Sequence, residues 1–106
     1  MISRKRRLHE IEIQFNPLYF EISLLKFRLG EASPILRTQY RDLISNLSAQ
    51  YNFVESQVRN LKETENDLQE EQITLAQRNM QELQKTFDTV GHWIYNETAN
   101  QVCSYY

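Results

Sequence analysis

The chain has 106 residues, two glycines, two prolines and a formal charge of −2. That is one domain at most, and so few turn-forming residues leave room only for a few long elements. A single cysteine, Cys103, excludes an intramolecular disulfide framework and a cysteine metal cluster, and fits a reducing compartment.

The charge is unevenly spread. Arg4, Lys5, Arg6 and Arg7 hold four of the twelve basic residues, so positions 8–106 carry eight basic and fourteen acidic ones, a net of −6. A basic tip on an acidic body points to an anionic partner or, more plainly, to a solvated tail, and residues 1–7 are expected to form that tail. No apolar run reaches membrane-spanning length, so no transmembrane segment is expected. The N-terminus starts basic, as a signal peptide does, but Glu10, Glu12 and Gln14 interrupt any apolar core. The chain is expected to be cytoplasmic. Asn96-Glu97-Thr98 matches a glycosylation sequon, which has no meaning without secretion.

Residues 8–15 fit two patterns. Ile11, Ile13 and Phe15 alternate with polar residues as in a strand, while Leu8, Ile11 and Phe15 fit helical steps of three and four. A lone strand would have nothing to pair with here, which favours a helical or irregular extension. Asn16-Pro17 then reads as a helix start, because proline at the first helical position has no N–H to leave unpaired. Gly30 sits where a left-handed residue would end a helix. A short helix over 17–29 follows. It carries one stripe of Leu18, Ile22, Leu25 and Leu29, and a second of Phe20, Leu24 and Phe27 on nearly the opposite face. A helix apolar on two faces needs cover on both.

Ser33-Pro34 is the second helix start, with serine as N-cap. Apolar residues then recur at Tyr40, Ile44, Leu47, Tyr51, Val54, Val58 and Leu61, and again at Ile73, Ala76, Met80, Leu83, Phe87, Val90 and Ile94. Both runs step by three and four, the period of one helical face. A polar stretch over 62–72 separates them. One reading is a single rod, roughly 85 Å long, that only an oligomeric coiled coil could cover. The favoured reading is a turn at 64–67, where Thr64, Asn66 and Asp67 suit turns and Asp67-Leu68-Gln69-Glu70 has the form of a capping box. The expected fold is therefore all-α: an antiparallel helical hairpin within a three-helix bundle of coiled-coil character, with long helices over 34–63 and 67–99. Gly91 is expected to interrupt rather than end the last helix. Trp93 and Tyr95, off the stripe, are expected to pack in the core against the Ser33 end of the hairpin, with a partner anchor as the other reading for both.

No catalytic constellation emerges. His9 and His92 are too few for a metal site, and Asp88 with His92 reads as a surface pair. Cys103 has no local histidine or helix N-terminus to activate it. Glu63, Glu65, Asp67, Glu70 and Glu71 lack the glycine and spacing of a calcium loop, and no phosphate-binding loop is present. No enzyme and no cofactor are expected.

The function expected is a non-enzymatic helical interaction module, such as an adaptor, co-chaperone or scaffold subunit. It would bind a protein partner or a second copy through Phe20, Leu24, Phe27 and Trp93. The alternatives use Arg4, Lys5, Arg6 and Arg7 as an arm for nucleic acid, or beside apolar residues 8–29 as a peripheral membrane anchor. The run Phe87-Asp88-Thr89-Val90-Gly91-His92-Trp93-Ile94 resembles a stretch of the syntaxin SNARE helix in its heptad spacing. It departs from that family at Glu97, which stands near the family's central glutamine, and it covers the late helix alone, so no family is assigned.

Overall fold

The computed structural model describes residues 3–103, with side chains described as far as Ala99. Met1, Ile2 and the C-terminal residues 104–106 lie outside that range. Three α-helices pack against one another: α1 (Arg4–Gly30), α2 (Pro34–Glu63) and α3 (Glu70–Cys103). No strand occurs among the described residues. The molecule is elongated, 57 × 22 × 17 Å.

The first helix is twice as long as its sequence signals suggest. It begins not at Pro17 but at Arg4, where Ser3 is the N-cap and its hydroxyl accepts from the Arg6 N–H at 3.2 Å. Residues 4–7 are therefore helical turns, not a tail, and residues 8–15 are helix, as the steps of three and four indicated. Pro17 lies inside the helix. An interior proline costs about 3 kcal/mol or more through its missing N–H and its clash with the preceding turn. Continuing the helix buries Leu8, Ile11 and Phe15, each worth about 1.5–3 kcal/mol. Burial wins, and Pro17 is placed where it harms least, on the exposed side.

The end of α1 also differs from the expectation. Gly30 is the last helical residue rather than a left-handed cap, and no described residue has a positive φ. The turn is imposed from downstream. A residue before proline is pushed out of the helical region, and Ser33 is extended at φ −63°, ψ 156°. The Glu31 and Ala32 N–H groups close the last turn on the Phe27 and Leu29 carbonyls.

α2 runs over the interval its caps predict. Ser33 caps it, with its hydroxyl accepting from the Leu36 N–H. At the far end the Thr64 N–H and hydroxyl both donate to the Asn60 carbonyl, at 3.2 and 3.1 Å. The chain then turns back through a single 3₁₀ turn, Glu65–Asp67, and an extended Leu68. This settles the choice between rod and hairpin. The expected capping box does not form. Asp67 accepts instead from the Gln69 amide, and α3 starts three residues later than expected, with the Ile73 N–H donating to the Gln69 carbonyl. Gly91 is buried inside α3 and does not end it.

The core is the sum of three helical stripes. α1 contributes Leu8, Ile11, Phe15, Leu18, Ile22, Leu25 and Leu29, stepping by three and four throughout. Leu47 and Val54 of α2 and Ile73, Leu83 and Ile94 of α3 are fully enclosed against them. Connections this short make α2 antiparallel to both neighbours, so α1 and α3 run the same way. Contacts at both ends show it: the Arg4 guanidinium donates to the Leu68 carbonyl at 2.7 Å, and that of Arg28 donates to the Thr98 hydroxyl.

Candidate interaction surface

The two apolar stripes of α1 have different fates. One is core. The other lies opposite it and faces outward: Phe20 is 65% exposed, Phe27 69% and Leu24 45%. Ile13, 57% exposed, joins them. It stands seven residues before Phe20, two turns up the same face. It escaped the sequence reading because residues 8–15 had no settled conformation, and its position is read only once the helix is known to be continuous. With exposed Pro17 between them, Ile13, Phe20, Leu24 and Phe27 form a continuous apolar ridge down the middle of one helix.

Trp93 is not part of this ridge, nor is it in the core. It is half exposed on α3. Tyr95, two residues on, faces α1, where the Arg28 guanidinium lies 4.5 Å from its ring centroid. Two residues are about 200° apart on a helix, so Trp93 points to the α2 side. That flank carries Asn79, whose amide donates to Gln57. Tyr95 is likewise partly exposed rather than core, held by Arg28 as a cation–π partner.

The basic cluster is divided by the same helix. Arg4 faces the hairpin turn, where it meets the Leu68 carbonyl and forms an ion pair with Glu70 at 3.5 Å. Arg7 forms an ion pair with Glu70 and donates to Thr74 and Gln77, both at 3.2 Å. These two arginines fasten the start of α1 to the start of α3. Arg6 has only a loose pair with Glu10, at 3.9 Å, and Lys5 has no partner among the described residues. Two cations of the four face outward.

The remaining chemistry is sparse. A cleft of about 110 Å³ lies between α1 and α2, lined by Tyr19, Ser23, Lys26, Ser48, Tyr51 and Asn52. Tyr51 stacks on Phe15 at 4.8 Å between ring centroids. Burial, and after it the carboxylate of Glu55, pushes the Tyr51 hydroxyl above its ordinary pKa. Tyr40 moves the same way, through burial and then Glu97. Asp88 and His92 do not pair: Asp88 accepts from Gln84 at 2.9 Å, and His92 meets the Asn96 amide at 3.1 Å. Among the described residues no group of three or more histidine, cysteine, aspartate or glutamate side chains is placed to hold a metal ion. The Cys103 side chain lies outside those described. No helix is long and apolar enough to cross a membrane.

No family model, no curated protein and no solved structure matches this chain.

Proposed function

We propose that the protein is a non-enzymatic, helical protein–protein interaction module: a three-helix bundle of coiled-coil character that serves as an adaptor, co-chaperone or scaffold piece. The observation that carries this reading is the outward ridge of α1. Four large apolar side chains, two of them phenylalanines, stand in line on a helix whose other face already fills the core. Exposed ridges of this kind mark docking surfaces in soluble proteins, and aromatic residues supply the anchors of such surfaces. An amphipathic helix presenting such anchors at helical spacing is a common recognition mode. Trp93 sits too far around α3 to serve the same surface. The basic residues support the nucleic-acid and membrane alternatives less well, because Arg4 and Arg7 are occupied within the fold and two outward cations give fewer phosphate contacts than four.

A photo-crosslinking residue placed at Leu24, and for comparison at the exposed Glu82 of α3, tests the reading in the cell of origin. Covalent adducts from position 24 that are absent from position 82, and lost when Phe20 and Phe27 are both changed to aspartate, are expected. Equal labelling from both positions, or none from position 24, would overturn it.

A further inference from the structure

α1 carries two seams, and each has the period of a packed helix. The inner one is complete. The outer one continues beyond its apolar centre at the same spacing: Arg6, Glu10, Ile13, Pro17, Phe20, Leu24, Phe27 and Glu31 step by four and three without a break. Such a row repeats every 3.5 residues and is the pattern that seats one helix along another. It is also polarised. Its upstream end is Arg6, in the basic first turns, and its downstream end is Glu31, the exposed cap residue of α1. A row with an apolar middle, Arg6 loosely paired with Glu10 at one end and a lone carboxylate at the other sets Arg6 against Glu31 when reversed.

We propose that the occupant of this ridge is a second copy of the same chain, with the two α1 helices packed antiparallel about a two-fold axis; this rests on the reading of the ridge as an interaction surface. A two-fold interface sets one patch against itself, which a ridge along a single helix satisfies geometrically. Charge selects the register. With Ile13 opposite Leu24 of the second copy and Pro17 opposite Phe20, Glu10 lies against Phe27 and Arg6 meets Glu31 of the second copy, and symmetry makes that ion pair twice. Sliding by one heptad sets Ile13 against Glu31 in one direction, or Arg6 against Leu24 and Glu10 against Phe20 in the other, and both leave Arg6 without an acid opposite it. Parallel pairing sets Arg6 against Arg6 and Glu31 against Glu31. The face is also large enough. A 27-residue helix is about 40 Å long, the molecule is 22 Å by 17 Å in cross-section, and such a face approaches the ~800 Å² per partner that stable complexes bury. The result is a six-helix dimer in which the α1 helices are central and both of their seams are covered.

Sedimentation equilibrium of the intact chain, with reductant present so that Cys103 cannot link copies, tests the proposal. A dimer at micromolar concentration is expected. Phe20→Asp is expected to leave a monomer at every concentration, with helix content unchanged, and with melting unchanged at concentrations too low for the parent chain to associate, because the ring is exposed in the single chain. Arg6→Glu and Glu31→Arg are each expected to weaken association by roughly tenfold, through two reversed charge pairs, and the double variant to restore it. A chain that stays monomeric, or a dimer indifferent to Phe20→Asp, overturns the proposal. Single charge reversals without effect, or a double variant without recovery, overturn the antiparallel register. The failures are separable: a monomeric chain that still yields crosslinks from position 24 to another protein removes the second copy and keeps the interaction surface. A monomer with no such crosslinks removes both.

Discussion

Leu24 and Leu25 are adjacent in the chain and identical in chemistry, yet one is 45% exposed and the other 0%. The same contrast runs down the whole of α1. Leu18, Ile22, Leu25 and Leu29 are enclosed by α2 and α3, while Phe20, Leu24 and Phe27, no less apolar, stand in the open. Hydrophobicity alone does not decide which face becomes core. The two other helices can cover only about half of a third, and the face they take is the mostly aliphatic one, which shares a single core with Leu47, Val54, Leu83 and Ile94. Phe20 and Phe27 are left for something else.

The largest effects expected are those that break this contrast. Leu25→Ala removes a fully enclosed side chain and leaves a cavity, so a loss of about 2–5 kcal/mol is expected, seen as a fall in melting temperature of at least ~8 °C. Leu24→Ala, one residue away, is expected to stay within about 1 kcal/mol at protein concentrations too low for association. Thermal and urea unfolding of the two variants side by side check the pair. Similar losses at both positions would mean that the outer face carries fold stability and is not a free surface.

Pro17 sharpens the comparison from the other direction, because it is a defect that the inner face outweighs. Replacing it with alanine returns an N–H to the helix and removes a clash, worth up to about 3 kcal/mol, less the ~0.4–1 kcal/mol by which proline stiffens the unfolded chain. A net stabilisation of about 2 kcal/mol is expected from Pro17→Ala in urea titrations. A loss would show that α2 and α3 are shaped to a bend in α1 at this residue.

The local signals show how much of this was legible. Ser33-Pro34 and Thr64 act through hydrogen bonds within their own turns, so both ends of α2 could be read directly. The hairpin is legible for similar reasons, from Thr64 and Asp67, although Asp67 meets the Gln69 amide and forms no capping box. The start of α1 was hidden because Asn16-Pro17 is a good local start and nothing local outvotes it. What does outvote it is the burial of Leu8, Ile11 and Phe15 and the acceptors near the hairpin turn, contacts 63 to 70 residues away in the chain for Arg4 and Arg7. Ser3 was the one local clue. For the candidate surface, Phe20, Leu24 and Phe27 are legible as a second stripe. Ile13 depends on helix continuity, and Trp93 stands apart from them because its angular position on α3 relative to α1 is a tertiary fact.

The basic residues divide along the same line as the leucines, with a smaller expected effect. Arg7 has a mostly buried side chain with three acceptors, whereas Arg6 is about 70% exposed and loosely paired. Arg7→Ala is expected to cost about 1–2 kcal/mol and to speed amide exchange over the first two turns of α1. Arg6→Ala is expected to cost a few tenths at most. Equal exchange in the two variants would mean that α1 is held at this end by Leu8 and Ile11 alone.

The smallest effect lies at the margin between the two faces, where Phe15 stacks on Tyr51 and Tyr19 closes over the same ring. The Tyr51 and Tyr40 hydroxyls are both raised above 10, burial being the first cause in each. For an acid whose folded pKa is raised, the folded state holds its proton after the unfolded state has released it. The unfolded chain then binds fewer protons, and stability falls as pH rises. The contribution is intact below pH 10 and declines once the unfolded tyrosines ionise. Tyr51→Phe and Tyr40→Phe are therefore expected to flatten the alkaline decline without changing stability near neutrality by more than about 1 kcal/mol. Urea unfolding at neutral pH and above pH 10, with ionisation followed by ultraviolet absorbance, measures both. Tyr19 gives the comparison: it is 66% exposed on the outer side of the stack and raises Tyr51 only after burial and Glu55, so Tyr19→Phe should leave most of the alkaline slope in place. If instead it removes that slope, the outer face of α1 is covered in solution at the concentration used, and the boundary between the two faces lies further out than in the single chain.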